Sequence, residues 1–405
     1  MNINVKYYMR FLALIIMARM FLPIIFERIT IPYFGYYVLF AIWFISVSLF
    51  SPHLFLNKVM IPIYLYAFIY ILMNVLGFYD LNIRWLRAFL LPLFFSVSIL
   101  FYFIDKKDFK GLSIVSQFTI ICIIITCFTS LLELHKYPNA VRLLGITTIE
   151  EAEYYLKLGI GGYGFFSGLS FTLPVFIYIF KDFFNKPIER VIMFLIIMLI
   201  ADSIFRAALS APILISFLAI ILSLSGSKNI QRTRILLILI ILIYILIPNR
   251  TIANVFYQIS GYSTNTSTKV RMYDIGVAFE TGVNVQNPET EVEGRLSRAP
   301  MALEAFAESP FTGNRSVNPE AGHLYWLYAL ALYGLIGFIP LIYAIYYQIK
   351  TVYKIIKPSY KFYYILCSFL YILLGLIKNL EGTEILFYMF FLIPSINFIQ
   401  YSDHK

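Results

Sequence analysis

LYWLYALALYGLIGFIPLIYAIYY, residues 324–347, carries no charged side chain from end to end. It exceeds the roughly 18–20 residues that an α-helix needs to cross a bilayer. A backbone in hydrocarbon must satisfy its own polar groups, so such a run is read as a spanning helix. Outward from it the same pattern repeats: Val191–Ala201 and Ile235–Ile247 are also free of charge. Of the 405 residues 60% are hydrophobic and 13% charged, against about 25% charged in a soluble domain. A chain of this composition cannot cover a water-facing surface with polar groups. Cys122, Cys127 and Cys367 all fall within apolar runs and are expected to be buried thiols, not disulfides. Lys6 and Arg10 precede the first apolar run, and no small-residue cleavage site follows. That run is read as a retained first helix.

The expected fold is an all-α polytopic membrane protein of about twelve spans. Residues 1–249 hold spans one to nine, residues 250–322 form one large external loop, and residues 323–405 hold spans ten to twelve. Placing the N-terminus inside and alternating puts 17 basic and 5 acidic residues inside, against 14 basic and 17 acidic outside. This asymmetry predicts that both termini are cytoplasmic. The net charge of +10 then reads as an anchor to the inner leaflet, with no nucleic acid needed. In the large loop Tyr262–Thr268 is expected to be irregular. Lys269–Glu280 and Pro300–Glu308 are expected as short helices, with Arg295 and Arg298 just before the second.

Elimination narrows the chemistry. The four histidines (His53, His135, His323, His404) have no HExxH neighbour, and no EF-hand or GxxxxGK[ST] spacing exists. No metal or nucleotide cofactor is therefore expected. Gly159–Gly164, GIGGYG, reads as a flexible lead-in to the sixth span. Most cations on the expected outer side are arginines, among them Arg84, Arg87, Arg206, Arg295, Arg298 and Arg315. A guanidinium is always charged and grips phosphate with a planar fork. Arginines at an outer membrane surface suit a diphosphate-linked lipid; surface pairing with nearby carboxylates is the plainer alternative for any one of them. Arg206 stands between two apolar runs, where an ionisable residue is costly and is read as functional. An i,i+4 pair with Asp202 is its alternative. His323 opens a span directly after the loop, where a neutral imidazole suits proton transfer from a hydroxyl. Helix capping is the alternative.

The stretch GRLSRAPMALEAFAESPFTGNRSVNPEAGHLYWLYALALYGLIGF, residues 294–338, resembles the hallmark region of the bacterial O-antigen polymerase and O-antigen ligase superfamily. Such proteins show an arginine opening an amphipathic helix, a Pro–x–x–Gly, then a histidine that starts a span ending near Gly–x–x–Gly. Here Arg295, Phe306, Pro310–Gly313, His323 and Gly334–Gly337 follow in that order. DSIFRAALSAPILI, residues 202–215, resembles the family's Ser–x–Arg turn and gives Arg206 a counterpart. Ala299 replaces the usual tryptophan, and Ile204 stands at the usual serine, with Ser203 one step away.

The resemblance implies a C-type glycosyltransferase fold and a metal-independent glycosyltransferase in the bacterial inner membrane. Its donor would be an undecaprenyl-diphosphate-linked oligosaccharide, and a chain-length regulator protein would be a further partner beside membrane lipid. His323, Arg295 and Arg206 would be catalytic. Arg298, Arg315, Arg84 and Arg87 would bind diphosphate or sugar. Tyr325 and Trp326 could stack on sugars or serve as interfacial belt residues. The leading expectation is a polymerase of O-antigen or capsular repeat units. A ligase that moves finished glycan to lipid A core or protein is the alternative, and a flippase of lipid-linked glycan the third.

Overall fold

The structure is a computed structural model. It describes residues 4–26, 34–79, 89–144, 149–183, 186–225, 248–262, 266–281, 298–314, 324–380 and 382–399. Among the described residues all regular structure is helical. The main helices are α1 (Val5–Phe21), α2 (Phe34–Phe50), α3 (Ile61–Val75), α4 (Leu91–Asp105), α5 (Phe109–Leu134), α6 (Ile149–Lys157), α7 (Tyr163–Tyr178), α8 (Pro187–Arg206) and α9 (Ser210–Ser225). They continue as α10 (Asn249–Tyr262), α11 (Thr266–Thr281), α12 (Arg298–Glu308), α13 (Tyr325–Ile355), α14 (Pro358–Ile377) and α15 (Thr383–Ile396).

Among the described residues, four helices are long and apolar enough to cross a membrane: α5, α7 with its extension to Lys181, α13 and α14. Five shorter apolar helices accompany them. Large apolar side chains such as Phe44, Leu49, Phe68, Val75, Phe128 and Leu195 remain exposed on the outside of the bundle. In water these would be an aggregation surface; facing lipid tails they are matched to their surroundings. The chain is a helical membrane protein. Of the ninth expected span, 233–249, residues 233–247 lie outside the described residues.

Local chemistry starts and stops these helices. Asn4 caps α1 by accepting a bond from the Lys6 amide at 3.2 Å. Pro62, Pro92, Pro187 and Pro358 occupy first turns, where the missing N–H costs nothing. Asp108 caps α5 through the Gly111 amide at 3.2 Å and accepts a bond from Arg10 Nε at 2.8 Å. Burial disfavours its charge, but bonds from Arg10, Lys6 and Gly111 outweigh this and hold the carboxyl below its ordinary pKa. A Cβ on Gly111 would lie 2.3 Å from Asp108 Oδ2, so glycine is needed there.

At the other end of the α1–α5 pair, Thr126 Oγ1 donates to the Phe21 carbonyl at 2.6 Å. The two helices therefore run in the same direction. His53 pairs with Asp105 at 2.6 Å at the Arg10 end of the bundle. The centre is α7, whose residues from Phe165 to Tyr178 are all buried. Gly168 of α7 leaves space for the Tyr388 ring of α15, and Gly375 of α14 for the Trp326 indole. The three cysteines are buried free thiols, in line with the sequence reading.

Candidate functional site

The loop helix and the span after it are joined through their backbones. The long helix α13 is broken at Gly334, whose φ of 57° and ψ of −170° are accessible essentially to glycine alone. The break leaves amides and carbonyls without helical partners. Leu335 and Ile336 amides donate instead to the Pro310 and Phe311 carbonyls, at 2.8 and 3.1 Å. The Asn314 amide donates to the Ala331 carbonyl at 2.8 Å. The Tyr79 hydroxyl donates to the Tyr333 carbonyl. A Cβ on Gly334 would lie 2.4 Å from Phe311 O, and one on Gly313 would lie 2.1 Å from Leu332 O. The Pro310–Gly313 turn thus fills the break about 13 Å along α13 from Tyr325, at 1.5 Å per residue. Non-helical backbone is tolerated at membrane depth when protein satisfies it in this way.

This contact fixes α12. Its last residue, Glu308, accepts a bond from Asn314 Nδ2 at 2.6 Å. Arg298 is the first residue of α12, not a residue before it, and Pro300 takes the third position. Arg298 lies within electrostatic reach of the Tyr328 hydroxyl on α13. At its described positions the expected irregular stretch Tyr262–Thr268 is helical: Tyr262 belongs to α10 and Thr266–Thr268 to α11, while 263–265 lie outside the described residues. α10 and α11 pack as a pair, with Phe256 stacked on Phe279 at 5.8 Å and Tyr257 bonded to Glu280 at 2.8 Å.

A cavity of about 260 Å³ opens at the end of the bundle opposite the Arg10–Asp108 pair. Arg19 of α1, Tyr36 of α2, Leu156 of α6, Gly162 and Tyr163 at the start of α7, and Glu384 of α15 line it. Glu384 lies over the glycines: a Cβ on Gly164 would stand 2.5 Å from its Oε2, and one on Gly162 3.8 Å from its Oε1. Arg19 is the cation that acts on it. The glycine stretch is tied down. The Gly161 amide donates to Ser130 Oγ at 2.9 Å, and Thr129 Oγ1 donates to the Gly159 carbonyl at 2.7 Å. The expectation of a flexible lead-in gives way to an ordered wall, because α5 hydroxyls satisfy the glycine backbone.

Tyr163 leads from this cavity to a buried cation. Lys378, one residue beyond α14, is 5% exposed, and its Nζ sits 4.1 Å from the Tyr163 ring centroid. Burial, helped by the Arg142 charge, lowers the Lys378 pKa to about 7. Arg142 in turn donates to the Ala208 carbonyl at 2.9 Å. Ala208 has a φ of 53° in the tight turn after Arg206. Arg206 itself is exposed and bonds Asp202 at 3.1 Å, the i,i+4 pair that the sequence offered as its alternative.

His323, Arg295, Arg315, Arg84 and Arg87 lie outside the described residues. The residue after His323, Leu324, is left-handed with φ 64°, and its carbonyl accepts from the Tyr328 amide. Tyr325 and Trp326 are packing residues and offer no stacking face. Both are buried, with Tyr325 stacked on Phe89 at 5.5 Å and Trp326 Nε1 bonded to the Ile372 carbonyl at 2.8 Å.

Sequence reasoning missed Arg19, Lys378, Tyr163 and Glu384. Arg19 carried a usable signal, being an ionisable residue inside an apolar run. The others are brought together only by packing of α1, α7, α14 and α15. Among the described residues no group of histidine, cysteine or carboxylate side chains could hold a metal. No protein family, no curated protein and no solved structure matches the chain.

Proposed function

We propose that the protein is a polymerase of lipid-diphosphate-linked oligosaccharide repeat units, acting at the outer face of a bacterial inner membrane with both termini in the cytoplasm. The observation that carries this reading is the docking of the Pro310–Gly313 turn into the Gly334 break. Two motifs of the O-antigen superfamily resemblance, separate in sequence, form one backbone interlock. It ties the arginine-bearing loop to the span that follows His323. Arg19, Arg142, Arg206, Arg298 and Lys378 add cations at or near outer ends of the expected spans.

In the proposed reaction the hydroxyl of one repeat unit attacks the anomeric carbon of another. A new glycosidic C–O bond forms, and the bond from that carbon to diphosphate breaks. The lipid diphosphate leaves with the electron pair, and His323 takes the hydroxyl proton. Fixed guanidinium groups are worth most where this negative charge develops. Arg295, Arg206 and Arg298 are assigned that role, with Arg315, Arg84 and Arg87 as further contacts to diphosphate or sugar. A chain-length regulator would be the protein partner.

The surface glycan of a deletion strain tests the proposal. Loss of the polymerase leaves single repeat units on the surface glycolipid. Long chains retained on the lipid carrier would instead identify a ligase, and units stranded in the cytoplasmic leaflet a flippase. His323→Ala should abolish chain formation at normal membrane abundance, as judged by glycan gels beside immunoblots. Arg206→Lys should be severely impaired in the same assay, because a point charge lacks the fork geometry.

A further inference from the structure

We infer that the cavity between Arg19 and Glu384 is a binding site for a neutral saccharide. That this sugar is the acceptor end of a repeat unit rests on the function proposed above. The charge of the cavity selects its ligand. Among the described residues, Arg19 and Glu384 are the charged side chains on its wall, and their charges cancel. A diphosphate would meet the Glu384 carboxylate, and a cation would meet Arg19. A polyol is served by both, because its hydroxyls donate to the carboxylate and accept from the guanidinium. The remaining wall suits a sugar too. Tyr36, Tyr163 and Phe165 supply aromatic surface, and Gly161 and Gly162 let a ligand approach the backbone closely.

The site is also pre-formed. Ser130 and Thr129 hold the glycine stretch, and Tyr36 is fixed by a 2.7 Å bond from its hydroxyl to that of Tyr37. Little ordering cost then falls on binding. Glu384 is held against the start of α7 because Gly162 and Gly164 carry no side chains. The diphosphate contacts of the reaction are assigned elsewhere, to the arginines around the loop, so the sugar and diphosphate ends of the chemistry have separate hosts.

Saturation-transfer difference NMR on the full chain in detergent micelles tests this. The probes are methyl glycosides of neutral hexoses and N-acetylhexosamines, with inorganic pyrophosphate, followed by the broadening of its phosphorus resonance, as the anionic comparison. At least one neutral glycoside should show saturation transfer. Gly162→Leu, which projects a side chain into the cavity, should abolish that signal. The Gly162 backbone (φ −72°, ψ 176°) accepts any residue, and a Cβ there meets nothing nearer than 3.8 Å.

Glu384→Gln is the second variant and decides the matter if Gly162→Leu does not give a monodisperse protein. It should weaken glycoside binding by roughly tenfold or more, the worth of a hydrogen bond to a charged group. The pyrophosphate phosphorus line width should be unchanged by either variant. The inference is overturned if no glycoside binds, if its signal survives both changes, or if pyrophosphate is what the variants displace. The glycan profile of the deletion strain is independent of these measurements. A polymerase whose glycoside binding ignores the cavity would sink only this inference, and a sugar-filled cavity in a strain with normal chains would sink only the proposed function.

Discussion

Lys378 shows how a single residue can record its surroundings. An ammonium taken out of water loses hydration worth several kcal/mol, and no carboxylate among the described residues compensates it by an ion pair. The Tyr163 ring, 4.1 Å away, returns part of that loss as a cation–π contact. The pKa falls to about 7, whereas an unfolded lysine titrates near 10.4. Between these values the unfolded state binds the proton more tightly, so stability rises with pH across that window and is lower, and constant, below about 7. Lys378→Met should remove this slope. Apparent melting temperatures of the purified protein from pH 6 to pH 10 should rise for the parent and stay flat for the variant. Equal slopes would mean that Lys378 is solvated. Arg206 is the contrasting case, since a pair of half-exposed charges on one helix is worth only a few tenths of a kcal/mol. The role proposed for Arg206 must come from what it meets in the reaction, not from this pair.

At the scale of elements, the break in α13 is the feature that organises the site. A helix interrupted inside a membrane must find new partners for its freed backbone groups, and here they come from the turn after α12. The arrangement needs glycine on both sides. Gly334→Ala would force an alanine into a conformation costing about 1–3 kcal/mol, and would also drive its Cβ into Phe311 and Gly313. The variant should lower the apparent melting temperature, speed protease cleavage around α12, and abolish chain formation. Gly261→Ala, whose Cβ meets nothing within 4 Å, is the control and should behave as the parent in all three assays. The spacing Pro310–x–x–Gly313 and Gly334–x–x–Gly337 was visible in the sequence. That one fills a gap in the other was not, because backbone hydrogen bonds between segments leave no trace in side-chain identity.

For the whole molecule, the testable property is direction. The Arg10–Asp108 and His53–Asp105 pairs mark one end of the bundle, and the cavity with Arg19 and Glu384 marks the other. The lysine-rich loops predict that the first end is cytoplasmic. The native thiols are buried, so single cysteines placed at exposed sites can report sidedness against a quiet background. A cysteine at Tyr262, which is 88% exposed, should react with a membrane-impermeant maleimide in intact spheroplasts. A cysteine at His53 should react only after permeabilisation. The reverse pattern would invert the protein and remove the proposed active site from the side where it is assigned.

The sequence by itself determined the class of fold, because charge-free runs longer than a bilayer have one soluble-free solution: helices that satisfy their own backbone in lipid. It also determined the buried thiols and the helical stretches near Lys269–Glu280 and Pro300–Glu308, since these follow from local composition. Only the tertiary structure decided that GIGGYG is a wall and not a hinge, since the Ser130 and Thr129 hydroxyls that bind it come from a distant helix. Only it decided that Tyr325 and Trp326 pack inward, since the rings and glycine that receive them lie just before α4 and on α14. The cavity of Arg19, Tyr163 and Glu384 belongs to the same class. Apart from Arg19, an ionisable residue inside an apolar run, each is unremarkable in its own segment, and their chemistry exists only where α1, α7 and α15 bring them together.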